Sequence, residues 1–224
     1  MSAAPTACLS DPDDWDAEFA AAARANVVQA KEHALNLKAS AVARKASGIE
    51  TRRARSEAAL SDILPARLQP GTSYHVLSSG DVDALSFIAH LARAHRLDDL
   101  LISTWCLSLQ DLEWLAAQQT AGRIGHIRIY CGEILRNTYP DVYDCLCDME
   151  RAGQADLTIA RNHAKITLAA AGRSRYTIES SANMNTNPRI EQTALHSDPA
   201  LHAFYAEFFA GIKCIDKKNR CQAP

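Results

Sequence analysis

Beyond residue 72 the apolar positions change period again and again. Residues 74–78 (YHVLS) read as a β-strand. Residues 83–95 (DALSFIAHLARAH) space their apolar side chains as an amphipathic helix does. The pair then repeats. Residues 100–106 (LLISTWC) read as a second strand, 109–119 as a helix with Asp111 in its first turn, and 126–131 (HIRIYC) as a third strand. Residues 140–151 read as a short helix with Pro140 near its first position. Residues 157–169 and 175–179 are then predicted as two strands around the turn signal Ala171-Gly172-Arg173-Ser174, a hairpin. A last helix covers 199–212, with Ser197 or Asp198 as its cap. Strands alternating with helices predict an α/β fold. Its sheet is expected to be largely parallel and covered by helices, with one antiparallel hairpin near the end.

Before residue 65 the pattern is different. Residues 14–64 contain no proline and are rich in Ala, Arg, Glu and Lys, a composition that favours helix. Trp15, Phe19, Ala22, Val27 and Ala30 recur at roughly helical spacing, and Gly48 divides the stretch into two helices. Pro65 and the turn Gln69-Pro70-Gly71 mark a boundary. Two regions follow: a helical N-terminal arm over 1–64, whose first dozen or so residues are expected to be disordered, and an α/β domain over 70–224.

Charge changes sign along the arm. Asp11, Asp13, Asp14, Asp16 and Glu18 open it, whereas the segment 38–55 carries Lys38, Arg44, Lys45, Arg52, Arg53 and Arg55 against Glu50 alone. The net charge of −2 makes the whole molecule no polyanion binder by bulk charge, so any nucleic-acid affinity has to come from a local patch. Segment 38–55 is the candidate, either as such a patch or as an ordinary solvated helix face.

With 47% of 224 residues hydrophobic, a real core is expected. The acidic start lacks the basic and apolar regions of a secretory signal, and no apolar run reaches the ~18 residues of a membrane span, so a cytoplasmic location is expected. The seven cysteines (Cys8, Cys106, Cys131, Cys145, Cys147, Cys214, Cys221) are odd in number and irregularly spaced, which suits reduced thiols. Cys145 and Cys147 have no second CxxC or HxxxH nearby, and neither a metal nor a cofactor is expected.

The chemistry concentrates in 162–192. His163 and Lys165 lie two apart and share one face if 157–169 is a strand. Ser181 and Asn183 share a phase just after the partner strand, and the hairpin folds the second pair back beside the first. An imidazole, an ammonium, a hydroxyl and a carboxamide suit a phosphate: lysine supplies charge, serine and asparagine supply donors, and histidine is a nucleophile or general acid near neutral pH.

These residues resemble the signature of the phospholipase D superfamily. His163-Ala164-Lys165 matches its HxK, and Ser180-Ser181-Ala182-Asn183 matches its GSxN with serine in place of glycine. Glu191 is placed like the family's later carboxylate. The resemblance, which extends over about 72–212, implies a phospholipase D-like mixed sheet flanked by helices. It also implies a metal-independent phosphodiesterase working through a phosphohistidine. Because the chemistry needs two HxK units and this chain has one, it further implies a homodimer whose two His163 residues face each other across a two-fold axis. His163, Lys165, Ser181 and Asn183 would then be catalytic, with Glu191 orienting a histidine through Nδ1. The family's aspartate would fall near Ala170, within Ala169-Ala170-Ala171, and is absent.

Other positions follow from the rule that ligands bind beyond the carboxyl ends of strands. Ser79, at the end of the first strand, is a substrate-binding candidate. Trp105 either stacks on a base or sugar or packs in the core. Arg189 either contacts a phosphate or is a solvated charge. Ser181 and Asn183 can also be turn residues. The expected function is a nuclease. The alternatives are a catalytically impaired DNA-binding or assembly module and a phospholipid or small-molecule phosphodiesterase.

Overall fold

The structure, a computed structural model, describes residues 48–185 and 189–216. Its elements in chain order are α1 (Gly48–Ile63), β1 (Ser73–Ser78), α2 (Ala84–Ala94), β2 (Leu97–Thr104), α3 (Leu109–Thr120), β3 (Ile124–Gly132), α4 (Leu135–Thr138), α5 (Pro140–Arg151), β4 (Asp156–Ala160), β5 (Ile166–Ala171), β6 (Ser174–Ser180), β7 (Glu191–His196) and α6 (Pro199–Ala210). The strands form one mixed sheet in the order β1-β7-β6-β5-β2-β3-β4.

Two layers of helix cover the sheet, and strand alternation decides which side chain meets which layer. Leu100, Ile102, Ile127, Ile129, Ala169 and Ile178 point toward α2, α3 and α5, whose Phe87, Ile88, Leu112, Leu115 and Leu146 complete the main core. Leu101, Tyr130 and Leu168 point the other way, onto Phe209 of α6. The central strand β2 is buried on both faces, which is why residues 100–104 read as a continuous apolar run with two small hydroxyls at its end.

Helix α1 presents Ser56 and Leu60, and Leu64 just past its end continues the spacing of four; all three are buried beside α2. The Ser56 hydroxyl accepts from Asp83 N (2.9 Å) and bonds Ser86 (2.7 Å). Arg52 pairs with Asp83 (2.9 Å), Arg53 with Asp111 (2.5 Å), and Arg93 of α2 with Glu57. The second half of the arm, from Gly48, is therefore part of the same compact unit as the sheet. Arg52 and Arg53, two cations of the basic segment 38–55, are neutralised inside the fold; Arg55 is exposed, and 38–47 lie outside the described residues. So do the arm's first helix and its expected disordered start.

The helices read from sequence beyond residue 70 stand where predicted, and Gly48–Ile63 is a helix as the second part of the arm was expected to be. Ser108 caps α3 by accepting from Asp111 N (3.2 Å), and of the two candidates for α6 it is Asp198 that caps, accepting from Ala200 N and Leu201 N. The sheet differs in three ways. It is not largely parallel: only β2–β3 and β3–β4 are parallel, while β1–β7, β7–β6, β6–β5 and β5–β2 are antiparallel. The single strand expected over 157–169 is two strands, β4 and β5, broken by 161–165. And β7 is a strand that the sequence reading passed over. It lies between β1 and β6, and its EQTALH pattern shows little alternation because nearly every residue in it is buried.

Candidate active site

Strands β1, β2, β3, β4 and β6 end, and β5 and β7 begin, along one edge of the sheet. Ser78 stands opposite Glu191, Ser103 and Glu179 opposite Ile166, and Gly132 opposite Ala160. The segment that joins β4 to β5, residues 161–165 (RNHAK), crosses this edge. It passes the ends of β3 and β2, three inter-strand spacings or about 14 Å. Its six Cα steps reach only about 20 Å when fully extended. The crossover has little slack, and because it leaves and re-enters the sheet at the same edge it makes β5 antiparallel to β2.

Asn162 holds the crossover down. Its side chain is buried, and Nδ2 donates to Tyr130 O (2.9 Å), Ser103 Oγ (3.0 Å) and Thr104 O (3.3 Å), while Oδ1 accepts from Ala164 N (3.0 Å). Ser103 Oγ in turn donates to Ala164 O (3.1 Å). His163, between these anchored residues, is exposed. Its imidazole lies 5.4 Å from the Trp105 ring at a 55° tilt. Gly132 makes room for this arrangement: a Cβ there would stand 2.6 Å from Trp105 Cδ1 and 2.8 Å from Trp105 O.

Lys165 curls back onto His163. Its ammonium lies 2.9 Å from Nδ1, 3.3 Å from Nε2 and 2.8 Å from the His163 carbonyl oxygen. Burial lowers the Lys165 pKa from its ordinary value, and the neighbouring Cys106 and Glu191 act in the opposite sense. Burial also pushes the Cys106 thiol up to about 11, against the pull of Lys165 and of a hydrogen bond with Tyr139. So His163 and Lys165 do meet, but through the crossover rather than by sharing a strand face.

Ser181 follows β6 directly and its hydroxyl donates to the buried Glu191 carboxylate, while Gln192 N donates to Ser181 Oγ (3.0 Å). Asn183 Oδ1 accepts from Thr104 Oγ1 (3.5 Å), which also accepts from Met184 N (3.1 Å). The two halves of the set are joined through the backbone, Ser180 N donating to Lys165 O (2.9 Å). Beneath them is a cavity of about 10 Å³, enough for about one water, lined by Lys165, Thr104, Ser180 and Ala182 among others. Ser79 is exposed one residue past Ser78, and Asp81 Oδ1 accepts from its backbone N–H (2.9 Å). Arg189 is exposed two residues before Glu191, and Trp105 is half-buried. Sequence reasoning passed over Asn162 and Gly132; the one legible sign of Asn162 is a lone amide directly before the histidine.

No protein-family model matches the sequence, and no curated protein matches it. Solved structures are similar in part. Polyphosphate kinase from Porphyromonas gingivalis is 14% identical with a TM-score of 0.48, covering 62% of this chain and 26% of that one. Phosphatidylserine synthase from Haemophilus influenzae Rd KW20 is 12% identical with a TM-score of 0.45, covering 61% of this chain and 37% of that one. Both belong to the phospholipase D superfamily. TrmBL2, an archaeal chromatin protein, is 13% identical with a TM-score of 0.43, covering 72% of this chain and 60% of that one. Each of these proteins is longer than the part this chain spans. No helix among the described residues is long and apolar enough to cross a membrane.

Proposed function

We infer that the protein is a metal-independent phosphodiesterase of the phospholipase D type, acting on nucleic acid through a phosphohistidine at His163. The observation that supports this most is the contact of Lys165 with both ring nitrogens of His163 at the strand ends, beside Ser181, Asn183 and Glu191. A non-bridging phosphate oxygen that drew the ammonium off the imidazole would free a ring lone pair for attack on phosphorus. In the same step it would place the positive charge where the transition state gathers negative charge. Asn183 Nδ2 would donate to a remaining oxygen, and the Ser181 hydroxyl would do so by turning from Glu191.

A second His163, from a second copy of the chain, would protonate the leaving oxygen and then activate water, so the working unit is a homodimer. Trp105 beside His163 offers an aromatic wall for a base, and the exposed Arg189 and Arg161 offer charge for flanking phosphates. The absent aspartate is compatible with turnover. Position 170 lies four residues along β5 from the site edge, about 13 Å away, opposite Asp99 and Arg175 in the ladder.

The test is hydrolysis of bis(p-nitrophenyl) phosphate and of single-stranded DNA in excess EDTA. The purified protein should cleave both, and His163→Ala should cleave neither while keeping its fold and its mass in solution. Wild-type turnover by His163→Ala would end this reading. DNA binding without cleavage would favour a non-catalytic binding module, and cleavage of the small diester alone would redirect the substrate class.

A further inference from the structure

On the α6 face of the sheet a second group of polar side chains forms a chain of hydrogen bonds. Ser73 opens β1, whose outer side has no neighbouring strand among the described residues, and it is exposed. Its Oγ lies 2.7 Å from His196 Nδ1. The other ring nitrogen, Nε2, lies 3.0 Å from Glu179 Oε2, and Glu179 Oε1 accepts from the Tyr205 hydroxyl of α6. His196 is buried, with 11% of its side chain exposed, and His75 stands edge-on to it at 6.1 Å.

The direction of each proton follows from donor and acceptor chemistry. The Tyr205 hydroxyl has its pKa pushed up to about 12, first by its hydrogen bond to Glu179 and then by burial, so Tyr205 remains the donor. An ionised carboxylate only accepts, so Nε2 of a neutral His196 must carry the ring proton. Nδ1 is then left with its lone pair, and Ser73 Oγ–H donates to it. The result is a hydroxyl aimed at a base whose far side is fixed by a carboxylate, the relation that activates a serine.

The backbone adds a donor. Ser197 N bonds Thr72 O (3.0 Å), and the ladder pairs Ser73 with His196. Bonded pairs alternate in an antiparallel ladder, so Ser73 and His196 are the pair whose N–H groups turn away from each other. The Ser73 N–H therefore faces the open edge, next to its own hydroxyl, where an anionic oxygen on an attacked centre would lie.

We propose that Ser73, with His196 as its base and Glu179 and Tyr205 as positioning residues, is a second nucleophilic site that takes acyl esters and related phosphonyl electrophiles approaching the open edge of β1. In the step tested, Ser73 Oγ bonds to the phosphorus of a fluorophosphonate as the P–F bond breaks. Fluoride leaves, and the hydroxyl proton passes to His196 Nδ1, whose new charge faces Glu179.

The experiment treats the full-length protein with a biotinylated fluorophosphonate and maps the adduct by peptide mass spectrometry. An adduct at Ser73 is expected in the wild type and equally in His163→Ala, which keeps this result separate from the fate of the phosphodiesterase reading. It should form roughly a hundredfold faster than in the urea-unfolded chain. Ser73→Ala should abolish it, and His196→Gln, or Glu179→Gln if the first is unfolded by circular dichroism, should slow it to near the unfolded rate. No adduct at Ser73, or equal rates in folded and unfolded protein, overturns the proposal.

Discussion

Asn162→Ala is the most informative single substitution in the described residues. The buried amide makes three well-formed bonds that the alanine cannot: Nδ2 to Tyr130 O (2.9 Å) and to Ser103 Oγ (3.0 Å), and Ala164 N to Oδ1 (3.0 Å). Each is worth about 1 kcal/mol net, so the expected loss is about 3 kcal/mol. For a domain of this size each kcal/mol lowers Tm by about 2–4 °C, which puts the fall at about 6–12 °C. Calorimetry and urea titration of the pure variant measure it.

Asn162→Asp should do worse. It keeps an acceptor for Ala164 N but turns a carboxylate toward Tyr130 O, a buried acceptor. Phosphodiester turnover should fall with either change even at a temperature where the variant is fully folded, because the crossover next to His163 loses the Nδ2 bonds that tie it to β2 and β3. His163→Ala, by contrast, truncates an exposed side chain and should move Tm little. A Tm within about 2 °C of wild type for Asn162→Ala, with unchanged turnover, would show that the tautness of the crossover alone places His163 and that the amide does not.

Gly132→Ala sets a Cβ within 2.6 Å of the Trp105 ring and 2.8 Å of its carbonyl oxygen; it should cost about 1–3 kcal/mol and shift tryptophan emission, whereas Gly153→Ala, with nothing within 4 Å of its Cβ, should leave emission unchanged. Burial raises the Asp111 carboxyl from an ordinary 3.8 to about 6, with Asp83 adding to the rise and the Ser108 hydrogen bond and Arg53 opposing it. The folded state therefore holds this proton more tightly than the unfolded chain does. That contribution is fully present below pH ~3.8 and is lost as pH rises through about 6, a swing on the order of 3 kcal/mol. A Tm-against-pH series from acid to neutral should show this decline in wild type and lose it in Asp111→Asn; parallel curves would refute it.

Within most single elements, β7 and the broken stretch 157–169 apart, the amino-acid pattern was enough. Helical spacing of Leu85, Ile88 and Leu91 announced α2, the apolar run ending in Ser103 and Thr104 announced β2, and Gly172 with its positive φ sits in the turn of the predicted hairpin. The spacing of His163, Lys165, Ser181, Asn183 and Glu191 set up the expectation of a phosphate site. Those are local properties: the period of a helix or strand, and the order of residues, are written in neighbours a few positions apart. Which strands pair is not. An insertion of β7 between β1 and β6, the parallel trio β2–β3–β4, and the turn of β5 against β2 all depend on contacts between residues far apart in the chain. The basic look of Arg52 and Arg53 hid partners at Asp83 and Asp111, about thirty and sixty positions away. Asn162 gave little sign of itself for the same reason: its bonds run to β2 and β3, whose ends come to it only when the chain after β4 is stretched across the edge of the sheet.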